Sequence, residues 1–266
     1  MNIVSFGGGT NSAAMIIGMV ERKIPIDLIT FADTGSEFPH TYEFIDTFNE
    51  WLIDNGQPKI TVVQATDKDG NKMTLEEHCL QYDHLPSIAY GRKQCSVRFK
   101  IQPQEKFCNN YQPCRDVWKS GDKVNRYVGY DAGEARRVLH AKSKIEEDKK
   151  YIGHYPLYDW GWDRDKCVNV VLNAGLPRPS KSSCFFCPSM KKHEIQNLWK
   201  VYPELFERAA ELERRAEPNN ITVKGLGRDW SWRDYKEATE AQMNLFDFID
   251  STGGCICDMP CGCYDG

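Results

Sequence analysis

The sequence predicts an α/β fold built on a parallel β-sheet. Two observations predict it. Apolar, strand-like segments alternate with helical segments over the first third of the chain, and a glycine-rich turn separates the first strand from the first helix. Such alternation is typical of parallel strands joined by right-handed helical crossovers. A length of 266 residues suits one large domain, or one domain with an appendage.

The first third of the chain is expected to read strand, helix, strand, helix, strand. The three strands are predicted at 2–6, 26–32 and 59–64, and the two helices at about 11–21 and 40–54. Pro39 leads into the second helix, which suits a residue that lacks a backbone N–H.

The remaining elements are predicted to be mostly helical. We expect one further strand at 124–128, which ends before Gly129. Helices are predicted at 74–80, at 96–108 with a break near Pro103, at 163–173, at 189–215 with a division at Pro203, and at 232–250. Residues 138–150 are rich in Lys and Glu and predict a mobile connection. We expect an α/β domain over 1–180 and a helical, cysteine-bearing region over 181–266.

Composition narrows the range of functions. A net charge of -4 argues against a protein that coats nucleic acid with a basic surface. The sequence contains no run of about 18 apolar residues and no recognisable secretion signal, so we expect no membrane contact and a cytoplasmic location. Eleven cysteines are many for such a chain, and the number is odd. Clustered cysteines in this setting indicate metal binding or redox chemistry rather than disulfides.

The glycine-rich turn is the first candidate site. Three glycines at 7–9 are followed by Thr10, Asn11 and Ser12, which begin a helix. Glycines let a ligand approach the backbone closely, and a helix N-terminus presents free N–H groups, so the turn predicts phosphate binding. A plain tight turn is the alternative. The turn is neither of the two commonest nucleotide loops: no lysine precedes Lys23, and Ser12 stands where a dinucleotide loop has its third glycine.

The turn resembles a third loop, Ser-Gly-Gly-x-x-Ser, with Gly7 in the first serine place. This is the loop of the PP-loop ATP pyrophosphatases, and the chain resembles their phosphoadenylyl-sulfate (PAPS) reductase-like branch. Residues 32–42 match that branch's Ala-Asp-Thr-Gly-x-Glu-x-Pro-x-Thr-Tyr pattern at every place. The resemblance implies a Rossmann-like adenine nucleotide α-hydrolase sheet, with a mostly helical, cysteine-bearing C-terminal part.

The resemblance also implies which residues meet the nucleotide. The expected nucleotide-binding residues are Ser5, Gly7, Gly8, Gly9, Thr10, Asn11, Ser12, Asp33, Thr34 and Gly35. The segment 129–137 resembles the family's Gly-x-x-x-x-Glu-x-x-Arg, which assigns catalytic roles to Glu134 and Arg137 beside Asp33. A solvated helix face for this segment, and a turn or capping aspartate for Asp33, are the alternatives.

The cysteines indicate a metal centre. Cys184 and Cys187 have the spacing of a Zn²⁺ chelate, of part of an iron–sulfur site or of a redox dithiol. Adenylyl-sulfate reductases hold a [4Fe–4S] cluster with a Cys-Cys pair and a later Cys-x-x-Cys. The chain resembles that arrangement, and also the DNA-phosphorothioation sulfurtransferases, but Gln94 replaces the first cysteine. Cys95, Cys184 and Cys187 are then three ligands of the cluster, and Zn²⁺ is the alternative. The fourth ligand is expected from Cys263 of the tail, from Cys79 or from an exogenous group.

By resemblance, the reaction is the cleavage of ATP to AMP and pyrophosphate with Mg²⁺. The cleavage would adenylylate an acceptor for sulfur transfer to a nucleic acid or a small molecule. A PAPS or adenylyl-sulfate reductase is one alternative, although the tail lacks the reductases' Glu-Cys-Gly-Leu/Ile-His motif. An inactive nucleotide-binding module is the other alternative, because Asn11 stands where many PP-loops have Asp. An adenine nucleotide is the expected partner. The sequence leaves open whether the chain binds a sulfur donor and whether it forms an oligomer.

Overall fold

Five parallel strands form one sheet at the centre of the computed structural model, which describes residues 1–145 and 147–252, with side chains up to residue 242. The strands are β1 (Asn2–Phe6), β2 (Leu28–Asp33), β3 (Ile60–Gln64), β4 (Val124–Val128) and β5 (Tyr151–His154). Their order in the sheet is β3-β2-β1-β4-β5, and every neighbouring pair is parallel. The predicted α/β fold is confirmed. The fifth strand was not predicted.

Twelve helices surround and extend the sheet in the described part of the chain. They are α1 (Thr10–Glu21), α2 (Pro39–Asp54), α3 (Leu75–Gln81), α4 (Gln94–Ser96), α5 (Gln102–Asn110), α6 (Gln112–Lys119), α7 (Ala135–Ile145), α8 (Pro156–Asp159), α9 (Arg164–Asn173), α10 (Lys192–Val201), α11 (Pro203–Ala216) and α12 (Trp232–Thr252). A π-helical turn over Val97–Ile101 joins α4 to α5, directly before the break predicted at Pro103. The mobile connection predicted at 138–150 is wrong over its first half, because α7 continues to Ile145 and buries Val138.

Both faces of the sheet are buried. Side chains alternate along a strand, so Val4 joins the core on one face while Ile3 joins the core on the other. Helices α1, α2 and α9 cover the first face with side chains such as Met15, Phe48 and Val171. Cysteines from α5 and α6 lie in the second core. A sheet covered in this way is typical of parallel α/β folds.

A third core lies among the C-terminal helices. It contains Phe185, Phe186, Trp199, Phe206 and Trp232, together with Phe38 and Leu75 from the first third of the chain. This core fixes α10 and α11 against the loop that follows β2. Across the described residues, none of the helices combines the length and apolar character needed to traverse a bilayer.

Glu213 of α11 organises the chain that follows this helix. Its carboxylate is buried and accepts the backbone N–H of Leu226 and of Trp232, both at 2.8 Å, and of Arg233 at 3.2 Å. Burial raises the pKa of this carboxyl group, and the three N–H donors oppose the shift. One side chain therefore satisfies three backbone donors that would otherwise be buried without partners.

Glu213→Gln tests this role. An amide nitrogen would face an N–H donor in place of an acceptor, and the expected loss of unfolding free energy is about 1–3 kcal/mol. Urea unfolding measures the loss. Glu211→Gln, at an exposed position of the same helix that pairs with Arg214, should change stability by less than about 0.5 kcal/mol. Equal losses in the two variants would contradict the assignment.

Candidate functional site

A cavity of 610 Å³ lies where the strand order reverses. The chain connects β1 first to β2 on one side, and β4 lies on the other side of β1. The cavity is lined by Ser5 and Gly7 from the end of β1, and by Val128 and Gly129 from the end of β4. Ligands of open α/β sheets bind at such a switch point, outside the carboxyl ends of the strands.

The glycine turn forms one wall of this cavity. Gly8 has φ +73°, and a Cβ there would lie 3.0 Å from Thr41 and 3.2 Å from Phe31, so this position requires glycine. The Ser12 hydroxyl accepts a hydrogen bond from the Gly7 N–H at 3.1 Å and donates one to the Gly9 carbonyl at 3.0 Å. These two bonds hold the turn in one conformation.

Helix α1 begins directly after the turn with unused donors. The Ala13 N–H reaches the Gly9 carbonyl at 3.1 Å, so the helix itself does not use the N–H groups of residues 10–12. Gly9 provides no side-chain cap, and the first turn of α1 contains no acidic residue. The helix N-terminus therefore has the properties of an anion site.

The end of β4 closes tightly onto α1. A Cβ at Gly129 would lie 3.1 Å from the Asn11 carbonyl oxygen and from the Ser12 nitrogen. Past this contact, Asp131 accepts a hydrogen bond from the Asn11 side-chain amide at 2.8 Å, and Arg164 donates to the Asn11 side-chain oxygen at 2.8 Å. Asn11 thus joins α1 to the segment after β4 and to α9.

Glu134 and Arg137 also line the cavity, as their predicted roles require. The two side chains form an ion pair, and the Arg137 guanidinium lies 4.3 Å from the centre of the Tyr130 ring. Burial is the largest single influence and lowers the pKa of Arg137, but the hydrogen bond and charge of Glu134, together with Tyr130, outweigh it and raise the pKa. The cation is therefore held in place at the cavity wall.

The predicted nucleotide-binding residues separate into two groups. Six of the ten line the cavity: Ser5, Gly7, Gly9, Thr10, Asn11 and Ser12. Gly8, the middle glycine of the turn, is not among the lining residues. Asp33 is the last residue of β2, Thr34 and Gly35 follow it, and none of the three is among the lining residues of this cavity. The Asp33 carboxylate receives hydrogen bonds from the Gly35 N–H at 2.7 Å, from the Tyr42 hydroxyl at 2.8 Å and from the Gln64 amide at 2.9 Å. Burial, followed by the bond to Asp33, raises the pKa of Tyr42. The catalytic role of Asp33 stays a prediction.

Sequence reasoning missed the segment that covers the turn. Residues 180–182 line the cavity, and the Ser182 hydroxyl donates to the Gly7 carbonyl. The Thr10 hydroxyl donates to the Pro179 carbonyl at 3.4 Å. Lys100 and Arg164 line the cavity as well. The run Ser-Lys-Ser-Ser directly before Cys184 was the signal for this segment, whereas no local pattern distinguishes Arg164.

The three cysteines predicted as metal ligands line a second, smaller cavity. Its volume is 220 Å³, and Cys95, Cys184 and Cys187 share it with Thr34 and Lys100. The Phe185 N–H donates to the Ser36 carbonyl at 2.9 Å, which places the Cys184 segment beside the loop after β2. Thr34 therefore serves this cavity, with its hydroxyl 3.2 Å from the Cys184 sulfur. Cys263 lies outside the described residues.

The chemistry of this cavity fits a metal centre. Burial, reinforced by Glu37, raises the pKa of Cys184, so its thiolate needs a bound cation to form at neutral pH. One Zn²⁺ holds thiolates at about 2.3 Å, which separates the sulfurs by about 3.8 Å. The group of three ligand atoms within 4.8 Å of one another, in the described part of the chain, belongs to His78, Cys79 and His84. Among the described residues, Cys95, Cys184 and Cys187 do not form such a group.

Lys100 borders both cavities. Its ammonium nitrogen lies 3.0 Å from one oxygen of Glu37, whose side chain is fully buried, while the Lys100 side chain is 38% exposed. Burial lowers the pKa of Lys100, but Glu37, together with Cys184 and Cys187, more than compensates, and the pKa is raised. The second oxygen of Glu37 is buried without a hydrogen-bond partner. Lys100 is thus what neutralises this carboxylate.

The chain is similar to a domain family and to several known proteins. Residues 1–166 match the model of the phosphoadenosine phosphosulfate reductase domain. Two uncharacterised proteins of Methanocaldococcus jannaschii are similar to the chain. One is 24% identical over 244 residues, which cover 86% of this chain and 51% of the relative. The other is 25% identical over 250 residues, which cover 88% of this chain and 46% of the relative. The chain therefore spans about half the length of these two relatives.

Two further similarities are found. An uncharacterised nin region protein of Escherichia phage lambda is 22% identical over an alignment of 288 positions. The alignment covers 96% of this chain and 93% of the phage protein. Among solved structures, the U34-tRNA thiolase NcsA from Methanococcus maripaludis with its [4Fe-4S] cluster aligns with a TM-score of 0.42 and 13% identity. That alignment covers 81% of this chain and 72% of the thiolase chain.

A double-mutant cycle on Lys100 and Glu37 tests the buried pair. Lys100→Met leaves the Glu37 carboxylate without its cation and should cost about 3 kcal/mol of unfolding free energy, the low end for a buried pair because the ammonium group is partly exposed. Lys100→Met combined with Glu37→Gln should recover most of this loss, since no buried charge remains. Urea unfolding measures the stability of Lys100→Met, of Glu37→Gln and of the double variant.

Lys106→Met is the matched control, because Lys106 is exposed and reaches only the neutral Thr66 hydroxyl. Its effect should stay below about 0.5 kcal/mol. If the losses of the two single variants simply add in the double variant, the pair does not couple as described.

Proposed function

The chain belongs to the phosphoadenosine phosphosulfate reductase domain family, and from this membership we propose that it is an enzyme that cleaves ATP to AMP and pyrophosphate and adenylylates an acceptor for sulfur transfer. One observation carries the proposal. An uncapped helix N-terminus, free of acidic residues, follows a glycine turn at the switch point of the sheet and faces a cavity of 610 Å³. The same cavity is lined by Arg137, Arg164 and Lys181, which suits a polyphosphate.

The pyrophosphate part of ATP would lie on the turn, against the N–H groups of residues 10–12. Asp131 and Glu134 are carboxylates that line the cavity, and they are the residues suited to Mg²⁺. An acceptor oxygen would attack the α-phosphorus while the bond to the β-phosphate oxygen breaks and pyrophosphate leaves. Arg137 and the turn would stabilise the negative charge that develops. A sulfur nucleophile would then displace AMP from the adenylylated acceptor.

The neighbouring cysteines would hold a [4Fe–4S] cluster through Cys95, Cys184 and Cys187. The resemblance to adenylyl-sulfate reductases supports a cluster over a single Zn²⁺, and the three cysteines line one cavity. Such a cluster would supply an iron able to bind a sulfur atom. Cys263 remains the proposed fourth ligand, and Cys79 or an exogenous ligand is the alternative. Since Lys100 borders both cavities, the nucleotide and the cysteine centre would share one wall.

Sulfonucleotide reduction is the second candidate function, and the name of the family supports it. The same turn would hold the phosphate groups of a phosphosulfate, and a cysteine would take its sulfur. The two candidates differ in their nucleotide substrate, so product analysis separates them.

One prediction of the proposed function concerns turnover. Protein purified without oxygen and incubated with Mg·ATP and with tRNA, DNA or small acceptors should release AMP and pyrophosphate, which anion-exchange chromatography measures. Arg137→Ala should lower the rate at least tenfold, in line with the loss of one charge-stabilising group. Arg136→Ala is the matched control, because Arg136 is exposed and does not line the cavity, and its rate should be unchanged.

Reduction of PAPS or adenylyl-sulfate with thioredoxin, and no AMP from ATP, would replace the proposal with the reductase. Binding of ATP without AMP formation under all these conditions would leave a binding module and contradict catalysis.

Another prediction of the proposed function concerns the binding of ATP by the glycine turn. Gly8→Ala introduces a Cβ 3.0 Å from Thr41 at φ +73° and should distort the turn. The Kd for a non-hydrolysable ATP analogue should rise at least tenfold, which corresponds to about 1.4 kcal/mol. Gly70→Ala is the control: Gly70 has φ +91° and nothing within 4 Å of an added Cβ, so it carries the same kind of backbone strain away from the cavity. Isothermal titration calorimetry measures both. An unchanged Kd for Gly8→Ala would mean that the nucleotide binds elsewhere.

A further inference from the structure

A second group of metal-ligating side chains lies apart from the glycine turn. His78 and Cys79 are neighbours on α3, and His84 follows that helix. One ligand atom from each of the three lies within 4.8 Å of the others. His78 is 8% exposed and Cys79 is 1% exposed. His78 and His84 line a cavity of 660 Å³, the third of the cavities described here.

His78 has a ring nitrogen without a partner. Its Nε2 is hydrogen-bonded to the Arg98 guanidinium, which can only donate, so Nε2 accepts and the proton of the neutral ring lies on Nδ1. Nδ1 is buried and has no hydrogen-bond partner among the residues that the structure describes. Leaving such a donor unsatisfied costs about 1–3 kcal/mol. A cation at Nδ1 would remove this cost, because the ring proton would move to Nε2 and Nδ1 would offer its lone pair.

Arg98 can give way to that change. A protonated Nε2 can no longer accept from Arg98, so the guanidinium would have to turn aside. Arg98 is exposed and lines the 660 Å³ cavity, which gives its side chain room to do so. A metal ion at His78 would therefore require the contact between Arg98 and His78 to open.

His84 is already oriented as a ligand. Its Nδ1 lies 3.0 Å from the Leu85 carbonyl oxygen, which only accepts, so Nδ1 carries the proton and Nε2 keeps its lone pair. A backbone carbonyl on the other ring nitrogen is how metal-bound histidines are commonly fixed. The centres of the His78 and His84 rings are 4.9 Å apart, so the two imidazoles are direct neighbours.

We propose that His78, Cys79 and His84 form a Zn²⁺ site with a fourth position open to the adjoining cavity. Two imidazoles and one thiol make a nitrogen and sulfur donor set without carboxylates, which suits Zn²⁺ rather than Mg²⁺ or Ca²⁺. On binding, the Cys79 sulfur–hydrogen bond breaks, the proton goes to solvent and the thiolate binds the ion. The charge of the bound thiolate and ion is then +1, with no change of oxidation state.

The site would stiffen a wall of the cysteine cavity. Cys95 lines both the 660 Å³ cavity and the cysteine cavity, and its N–H donates to the Ser87 hydroxyl at 2.8 Å. Ser87 follows His84 closely in the chain and lines the 660 Å³ cavity. An ion that ties His84 to α3 would therefore hold the segment on which Cys95 depends. The proposal stands independently of the reaction proposed above.

Cobalt substitution tests the site. The full-length chain would carry serine at Cys184 and Cys187 and at the four tail cysteines, 255, 257, 261 and 263, so that neither the C-x-x-C pair nor the tail binds the probe. After treatment with a chelator, Co²⁺ alone should give thiolate charge-transfer bands and the strong visible bands of four-coordinate cobalt. Zn²⁺ should bleach them.

His84→Gln and Cys79→Ser in this background should abolish the bands or raise the Kd for Co²⁺ at least tenfold. His193→Gln, at an exposed position of α10, is the matched control and should leave them unchanged. Circular dichroism confirms that each variant is folded, and Zn²⁺ should raise the unfolding temperature of the parent but not of His84→Gln. No bands in the parent, or bands that persist in His84→Gln, would overturn the site.

Discussion

The parallel pairing of β1 with two neighbours is the constraint on which the rest of the structure depends. Ser5 is level with Thr30 of β2 and with Val128 of β4, so all three strands end at the same edge. The glycine turn, the loop after β2 and the segment after Gly129 are therefore brought together by backbone hydrogen bonds alone. Because Gly129 has no Cβ, the first turn of α1 can lie across the end of β4. The cavity exists because of these two features.

Asn11 shows how hydrogen-bond donors and acceptors are matched in the wall of this cavity. The position departs from the Asp that many PP-loops have, and its surroundings explain the departure. Asp131 needs a donor from residue 11, whereas Arg164 needs an acceptor, and an amide is the side chain that supplies both. A carboxylate at residue 11 would face the carboxylate of Asp131 at hydrogen-bond distance. The negative charge at this end of the cavity comes instead from the segment after β4.

The sequence predicted what depends on local pattern and missed what depends on distant partners. The first three strands and the helices between them were placed within about two residues, because their apolar periodicity is strong. Tyr151–His154 is a four-residue edge strand and offers no such pattern. In α7, two arginines and two lysines obscured the apolar position of the buried Val138. The Asp33 carboxylate accepts hydrogen bonds from Tyr42 and Gln64, and neither contact can be read from spacing.

The loop after β2 shows why two sites form side by side. Its Asp turns inward to hold the loop, its Thr34 reaches the Cys184 sulfur, and its Glu37 is buried against Lys100. Burying Glu37 beside a thiol disfavours thiolate formation, and the ammonium group of Lys100 opposes that effect. A single cation thus borders both the cysteine cavity and the glycine-turn cavity. Its charge favours negative groups in each of them, so a thiolate-bound centre and a bound phosphate would both be stabilised by the same side chain.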